Sequence, residues 1–305
     1  MKKTVNFLLA TVVLVPIAAW FFGTRPEENQ IQLIQSCAWI TLGSILYCFV
    51  AGELTGNNSQ VDKLWSLLPI IYVWMVAKQV NYEPYVSLMA ILVSLWGARL
   101  TYNFSRRGAY RLKFWQGEED YRWSVLRQKP MFQKKWRWTL FNLGFICVYQ
   151  NLLILLFTLP IVVAAGRSKT EPDLIPLLLA FSFLVLLWIE YTADQEQYDF
   201  QTEKHRRKNS GEPLDSYAHG FVRTGMWAFV RHPNYAAEQG IWISFYLIGA
   251  AVSGEWFNWS IAGCVLLLLL FRGSADFSES ISAGKYPEYK NYISTVGRFL
   301  PRWKG

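Results

Sequence analysis

Long apolar runs alternate with short polar connections along the whole chain. Runs over residues 5–22, 34–50, 64–77, 85–102, 138–165, 174–189, 241–251 and 256–271 are built from Leu, Ile, Val, Phe, Ala and Trp. Several reach the ~20 residues that a membrane-crossing helix needs, and the shorter ones extend into amphipathic flanks. The pattern predicts an all-α, polytopic membrane helical bundle with about eight transmembrane helices. Residues 1–57 read as N-terminal packing helices and 58–305 as one continuous bundle, with no internal repeat and no separate soluble domain.

Composition agrees with that pattern. The chain is 52% hydrophobic and 17% aromatic with 15 Trp, and only 17% charged, below the usual quarter of soluble domains. The net charge of +8 does not imply nucleic acid, because its distribution follows the membrane. With a cytosolic N-terminus, residues 1–3, 52–63, 105–137, 195–225 and everything from Arg272 onward share one side and hold most of the 30 Lys and Arg. The opposite loops hold only Arg25, Lys78, Arg167 and Lys169. This positive-inside bias places both termini in the cytosol, where the basic loops meet anionic membrane lipids. Residues 1–20 also resemble a secretory signal, with Lys2 and Lys3 before an apolar run and Ala18-Ala19 after it; since further spans follow directly, an uncleaved first helix is favoured. The short loops and the lack of an ER-retrieval signal point to a bacterial inner membrane, with an ER membrane as the alternative. Cys37, Cys48, Cys147 and Cys264 all lie in apolar runs without metal spacing, so they read as packing residues, and no metal site is expected. No phosphate-binding loop of the Walker or GxGxxG kind is present.

Against this apolar background the polar clusters stand out, since ionisable groups at membrane depth are costly and need partners. Arg231-His232-Pro233-Asn234-Tyr235-Ala236-Ala237-Glu238 is the densest. Pro233 sets a helix start, and from it Asn234, Glu238 and Trp242 recur every four residues on one face. Glu53 and Asp62 flank a Gly- and Asn-rich turn, where Ser59 and Asp62 can equally cap the next helix. Arg99, Tyr102, Asn103 and Arg106 share a face at the end of the fourth run, and Glu190, Asp194, Gln197 and Tyr198 form a stripe at the end of the sixth. The loop over 108–137 carries Gly117-Glu118-Glu119-Asp120-Tyr121-Arg122-Trp123. All of these fall on the cytosolic half. Arg99, Arg106, Lys113, Arg122, Arg231 and Arg272 offer contacts to phosphates, while Asn and Asp suit ribose or carboxamide groups. The set suits a membrane enzyme that takes a phosphorylated cofactor from the cytosol and an apolar substrate from the bilayer.

The ordered combination of Arg231-His232-Pro233-Asn234-Tyr235 with Glu238, Asn58-Ser59 with Asp62 and Trp65, Trp96-Gly97 with Arg99-Leu100, Glu119-Asp120-Tyr121-Arg122, Asp194 and the tail over 286–301 resembles the bacterial branch of the steroid 5-alpha-reductase-like membrane proteins. The resemblance runs from about Asn58 to Pro301. The wider superfamily includes sterol reductases and isoprenylcysteine carboxyl methyltransferases. The resemblance implies an NADPH-dependent reductase of a C=C bond conjugated to a carbonyl, in a steroid-like or other lipid substrate. It implies Tyr102 as the carbonyl-facing acid, with Glu53 or Asp62 as its partner. Asp194, Asn234, Glu238, Trp242 and Arg272 match cofactor-pocket positions; Arg231, His232 and Tyr235 match the signature that flanks the pocket, and Arg99, Arg122 and Tyr198 join the expected cofactor contacts. Two departures are visible: Ala237 stands where the family has Gly, and the last helix carries Asp276, Ser278 and Glu279 where the steroid enzymes have histidines. The RHPxY signature also occurs in methyltransferases that use S-adenosylmethionine, which is the alternative, and a membrane scaffold or transporter is the non-enzymatic one.

Overall fold

The computed structural model describes residues 2–110, 113, 117–167 and 173–302. Among the described residues the long elements are all helices: α1 (Lys2–Phe22), α2 (Glu28–Thr55), α3 (Gln60–Trp65), α4 (Leu68–Gln79), α5 (Pro84–Ser105), α6 (Tyr121–Arg127), α7 (Lys135–Phe141), α8 (Gln150–Thr158), α9 (Pro160–Ala164), α10 (Leu174–Ser210), α11 (Pro233–Ser253), α12 (Ile261–Lys285) and α13 (Tyr289–Thr295). The chain divides into two compact units, Met1–Ala180 with Ser244–Leu267 and Phe181–Ile243 with Leu268–Gly305.

Among the described residues, six helices are long and apolar enough to cross a membrane: Val5–Phe22, Glu28–Thr55, Pro84–Ser105, Lys135–Ala164, Leu174–Ser210 and Ile261–Lys285. This is a polytopic helical membrane protein. Two further expected spans differ for physical reasons. The third apolar run folds into the 12-residue α4, about 18 Å long at 1.5 Å per residue, against a hydrocarbon core of ~30 Å. The seventh becomes α11, 21 residues long, whose first turns are diluted by Asn234, Glu238 and Gln239.

The first unit shows why lipid is its solvent. On α2 the buried stripe is Gln30, Leu33, Cys37, Thr41, Ser44, Cys48 and Gly52, mostly small or polar. The outward face carries Trp39, Leu42, Leu46 and Val50, all exposed. This reverses the water-soluble pattern and follows the rule that small residues pack membrane helices while large apolar ones meet lipid. Thr41 Oγ1 lies 2.8 Å from Tyr72 Oη, a buried pair between α2 and α4. Glu27 and Gln30 close a capping box at the start of α2, and Gly56 ends it in the left-handed conformation at φ 72°, its N–H on Gly52 O; glycine adopts that geometry without Cβ strain. Gly97 lets α5 approach α4, since a Cβ there would lie 2.6 Å from both Ile70 Cδ1 and Ser66 O. The apolar run Lys135–Ala164 is not a uniform helix: residues Asn142–Tyr149 form a π-helical stretch between α7 and α8, and Pro160 begins α9.

In the second unit, Phe221, Tyr289 and Tyr292 form a buried aromatic cluster. Tyr292 Oη donates to Trp227 O, and Trp227 Nε1 donates to Ala193 O at 3.1 Å. The segment before α11 pairs with the chain's end through a parallel bridge, Val230 with Gly297.

Candidate functional site

Each unit carries its own polar cluster. In the first, the turn after α2 is clasped to the segment that leads into α6. Asn57 Nδ2 donates to Gly117 O at 2.6 Å, the Asn58 amide donates to Glu119 Oε1 at 2.8 Å, and the Asp120 amide donates to Ser59 Oγ at 2.9 Å. Arg127 Nη2 donates to Gly56 O, Asn58 Oδ1 and Glu119 Oε1 at 3.0, 2.6 and 2.7 Å, with its guanidinium 4.8 Å from the centre of the Trp138 ring. Trp138 Nε1 also reaches Asn58 Oδ1. The local sequence explains α6 itself: Asp120 is its N-cap, accepting from the Arg122 amide at 2.8 Å.

Two carboxyls of this clasp have opposite electrostatics. Asp62, 7% exposed, accepts from Trp123 Nε1 at 3.0 Å. Burial pushes its carboxyl above the usual range and the nearby Asp120 charge adds to this, while Arg122 and hydrogen bonds from Ser59 and Trp123 oppose it. Burial also opposes ionisation of Asp120, but the Arg122 charge and hydrogen bonds, with help from Arg107, outweigh it and hold Asp120 below the usual range. Arg122 meets Asp120 through Nε and Nη2, both at 2.9 Å. Burial likewise lowers the neighbouring Lys63 amine, against the pull of Asp62.

The three expected catalytic residues all lie in this unit, and the structure does not bring them together by hydrogen bonds. Glu53 accepts from Thr139 Oγ1 and Asn142 Nδ2, both at 3.0 Å. Asp62 faces Trp123. Tyr102 is 54% exposed, with the Arg106 guanidinium 5.4 Å from its ring centre, and its side chain hydrogen-bonds neither acid among the described residues. Arg106 is in turn held by Asn103 Oδ1 at 2.9 and 2.6 Å. Arg99 is half-buried near the end of α5.

In the second unit, α10 and α11 place the expected cofactor stripe. Pro233 opens α11, as expected at a first helical turn. Asn234 Nδ2 donates to Asp194 Oδ1 at 3.0 Å, and Trp242 Nε1 donates to Glu238 Oε1 at 2.9 Å. Asp194, Glu238 and Trp242 are buried; Tyr198 is half-buried and Arg272 exposed. Tyr235 stacks on His232, with ring centres 5.2 Å apart and planes 12° from parallel, and packs against Phe271. Arg231 and His232 turn to α12 instead, where both meet Glu279 Oε1, at 2.9 and 3.0 Å. Sequence reasoning assigned no role to Glu279, Arg298, Asn58 or Arg127, which anchor these clusters; apart from Glu119, near Arg127 in the chain, their partners lie too far along the chain for spacing to reveal.

Residues 48–296 match a family described as "Protein of unknown function (DUF1295)". The chain belongs to this family. It is also similar to a protein of Schizosaccharomyces pombe (strain 972 / ATCC 24843) described as "Uncharacterized protein C594.04c", 37% identical over 283 residues, covering 86% of this chain and 79% of the yeast protein. No solved structure matches significantly. The family match runs from within α2 to the residue after α13 and covers the first polar cluster and, of the second, all but Arg298. Among the described residues, no group of His, Cys, Asp and Glu is arranged to hold a metal ion.

Proposed function

We propose that this member of the family is a membrane oxidoreductase, in a bacterial inner membrane with both termini cytosolic. It reduces a C=C bond conjugated to a carbonyl in a lipid or steroid-like substrate. The observation that carries the reading is the partnered polar stripe of the second unit, Asp194 with Asn234 and Glu238 with Trp242. Four polar or amphipathic side chains at these positions match those implied by the resemblance to steroid 5-alpha-reductase-like proteins.

The donor set of that stripe fits NADPH. Asp194 and Glu238 provide buried acceptors for sugar hydroxyls, Asn234 an amide for polar edges, Trp242 an aromatic surface and Arg272 an exposed cation for phosphate. The chemistry NADPH supplies when bound is hydride for the beta carbon of the enone. In the first unit, Tyr102 carries a hydroxyl that can donate to a carbonyl oxygen and stabilise the developing enolate. Asp62, whose carboxyl burial pushes above the usual range, holds a proton more readily than an ordinary carboxyl.

The test is a titration of the purified protein in detergent with NADPH, NADH and S-adenosylmethionine, read as thermal stability. A ligand at 100 times its Kd stabilises the native state by about 2.7 kcal/mol. NADPH is expected to raise the midpoint, and Tyr102→Phe to keep that shift while lowering turnover of an enone lipid. A shift with S-adenosylmethionine alone would overturn the reductase reading. One observation favours that second reading, a methyltransferase: Arg231 and Arg298 are both ion-paired with Glu279, so the second unit offers less cationic character to phosphates than its sequence suggests.

A further inference from the structure

Glu279 is 5% exposed and gathers three partners from two other stretches of the chain. Its Oε1 takes Arg231 Nε at 2.9 Å and lies 3.0 Å from His232 Nε2. Its Oε2 takes Arg298 Nη2 at 2.7 Å, while Arg298 Nη1 reaches Asp276 at 2.7 Å. Arg231 Nη1 donates onward to the carbonyls of Ile293, at 3.1 Å, and Val296. The backbone follows the same course: the Arg231 amide donates to Gly297 O at 2.8 Å and the His232 amide to Arg298 O at 3.1 Å. The two residues before Pro233 are therefore fixed against the tail through both side chain and backbone. Pro233 already biases its predecessor toward extended geometry, so this clamp sets the direction in which α11 begins. The first turn then delivers Asn234 to Asp194.

We propose that Glu279 is a positioning residue that divides the Arg231–Glu238 motif in two. Arg231 and His232 hold the start of α11 to the tail through Glu279, and the ligand-facing work falls to Asn234 and Glu238. A buried carboxylate with several charge-assisted partners is costly to break from either side, because the survivors are left uncompensated. Replacing Glu279 by a neutral group leaves the Arg231 guanidinium without its counter-charge and Arg298 with Asp276 alone. The tail and the start of α11 then loosen together. The ligand side of this assignment rests on the reading proposed above; the clamp itself does not.

Hydrogen–deuterium exchange on the full chain in detergent tests the clamp without any ligand. In Glu279→Gln, amides at 231–232 and in 296–302 are expected to exchange at least about tenfold faster than in the wild type, with the clasp over 57–62 and 117–127 unchanged. Glu279→Asp, which keeps the charge, restores part of the protection. Faster exchange in the tail alone, or in neither segment, overturns the proposal. Should Glu279→Gln fail to fold, Arg298→Gln removes only the tail's arm, and a smaller joint rise in both segments is expected; a rise confined to the tail again overturns it. For the ligand side, Asn234→Ala is expected to weaken NADPH binding without faster exchange at 231–232, and Glu279→Gln to weaken binding together with it. Unchanged NADPH affinity in Glu279→Gln with loosened segments overturns the positioning role. A wild type that shows no NADPH shift removes the reductase reading, and the exchange measurement then decides the clamp by itself.

Discussion

The two polar clusters handle charge in different ways. The clasp of the first unit is made between two loop segments, and its ion pairs, Arg122 with Asp120 and Arg127 with Glu119, involve side chains 19–35% exposed. The clamp of the second unit is built on Glu279, whose pairing with Arg231 involves side chains only 6% exposed at both ends. Partly exposed pairs are screened by solvent and contribute little. Buried ones contribute through the cost of separating them. Removing one cation from the first cluster should therefore cost little, and removing Arg231 from the second should cost more.

The largest effect that tests this contrast is Arg231→Met. It removes one of the two guanidiniums that hold the buried Glu279 and leaves the carbonyls of Ile293 and Val296 without their donor, for an expected loss of about 3 kcal/mol. Arg122→Met in the clasp should cost about 1 kcal/mol or less. Unfolding of both variants in detergent, followed by loss of helical signal, provides the comparison. Equal losses would show that burial does not separate the two clusters.

A smaller effect lies inside the clasp. Asp120 is held below its ordinary pKa of 3.8, so it contributes stability above that pH and loses it as pH falls through its depressed value. Asp120→Asn keeps an acceptor for the Arg122 amide and should cost about 1 kcal/mol at pH 7, from the ion pair alone, and almost nothing in strong acid. Asp62 is shifted the other way. The cost of burying its charge is fully present above its raised pKa and fades as pH falls through that value toward 3.8. Asp62→Asn should therefore be neutral or stabilising by about 1 kcal/mol at pH 8, since an amide oxygen still accepts from Trp123, and the gain should shrink on acidification. Stability curves of the two variants that run in the same direction with pH would contradict the assigned environments.

How much of this was legible in the sequence follows from the range of each interaction. Apolar run length is imposed by the bilayer, so the helical membrane class could be read directly, as could the shared face of Glu238 and Trp242, four residues apart and hydrogen-bonded. The short α4 and the π-helical stretch at Asn142–Tyr149 were not legible, because apolar composition does not fix where a helix ends or how tightly it winds. The motif at Arg231 announced that it needed partners without naming them. Glu279 lies 48 residues away from Arg231, and the Asn58–Glu119 contact spans 61 residues; only the fold joins them. Arg231 and Arg122, both expected at phosphates, each have a carboxylate counter-ion in the fold, Glu279 and Asp120.

The smallest expected effect comes from the end of α10, where ion pairs are as numerous as in the clamp but unburied. Arg206 meets Glu203 at 2.8 Å and Glu212 at 2.7 Å, with its side chain 52% exposed, and Arg207 meets Glu203 and Asp215. If the number of ion pairs determined stability, Arg206→Ala, which loses two carboxylate partners, would cost at least as much as Arg231→Met, which loses one. If burial determines it, water replaces the lost partners of Glu203 and Glu212, and Arg207 still holds Glu203. The unfolding midpoint of Arg206→Ala is accordingly expected to match that of the wild type within error, and its weak residual salt dependence to fall. A drop comparable to that of Arg231→Met would mean that charge count, and not burial, distinguishes the parts of this molecule that hold from those that merely meet water.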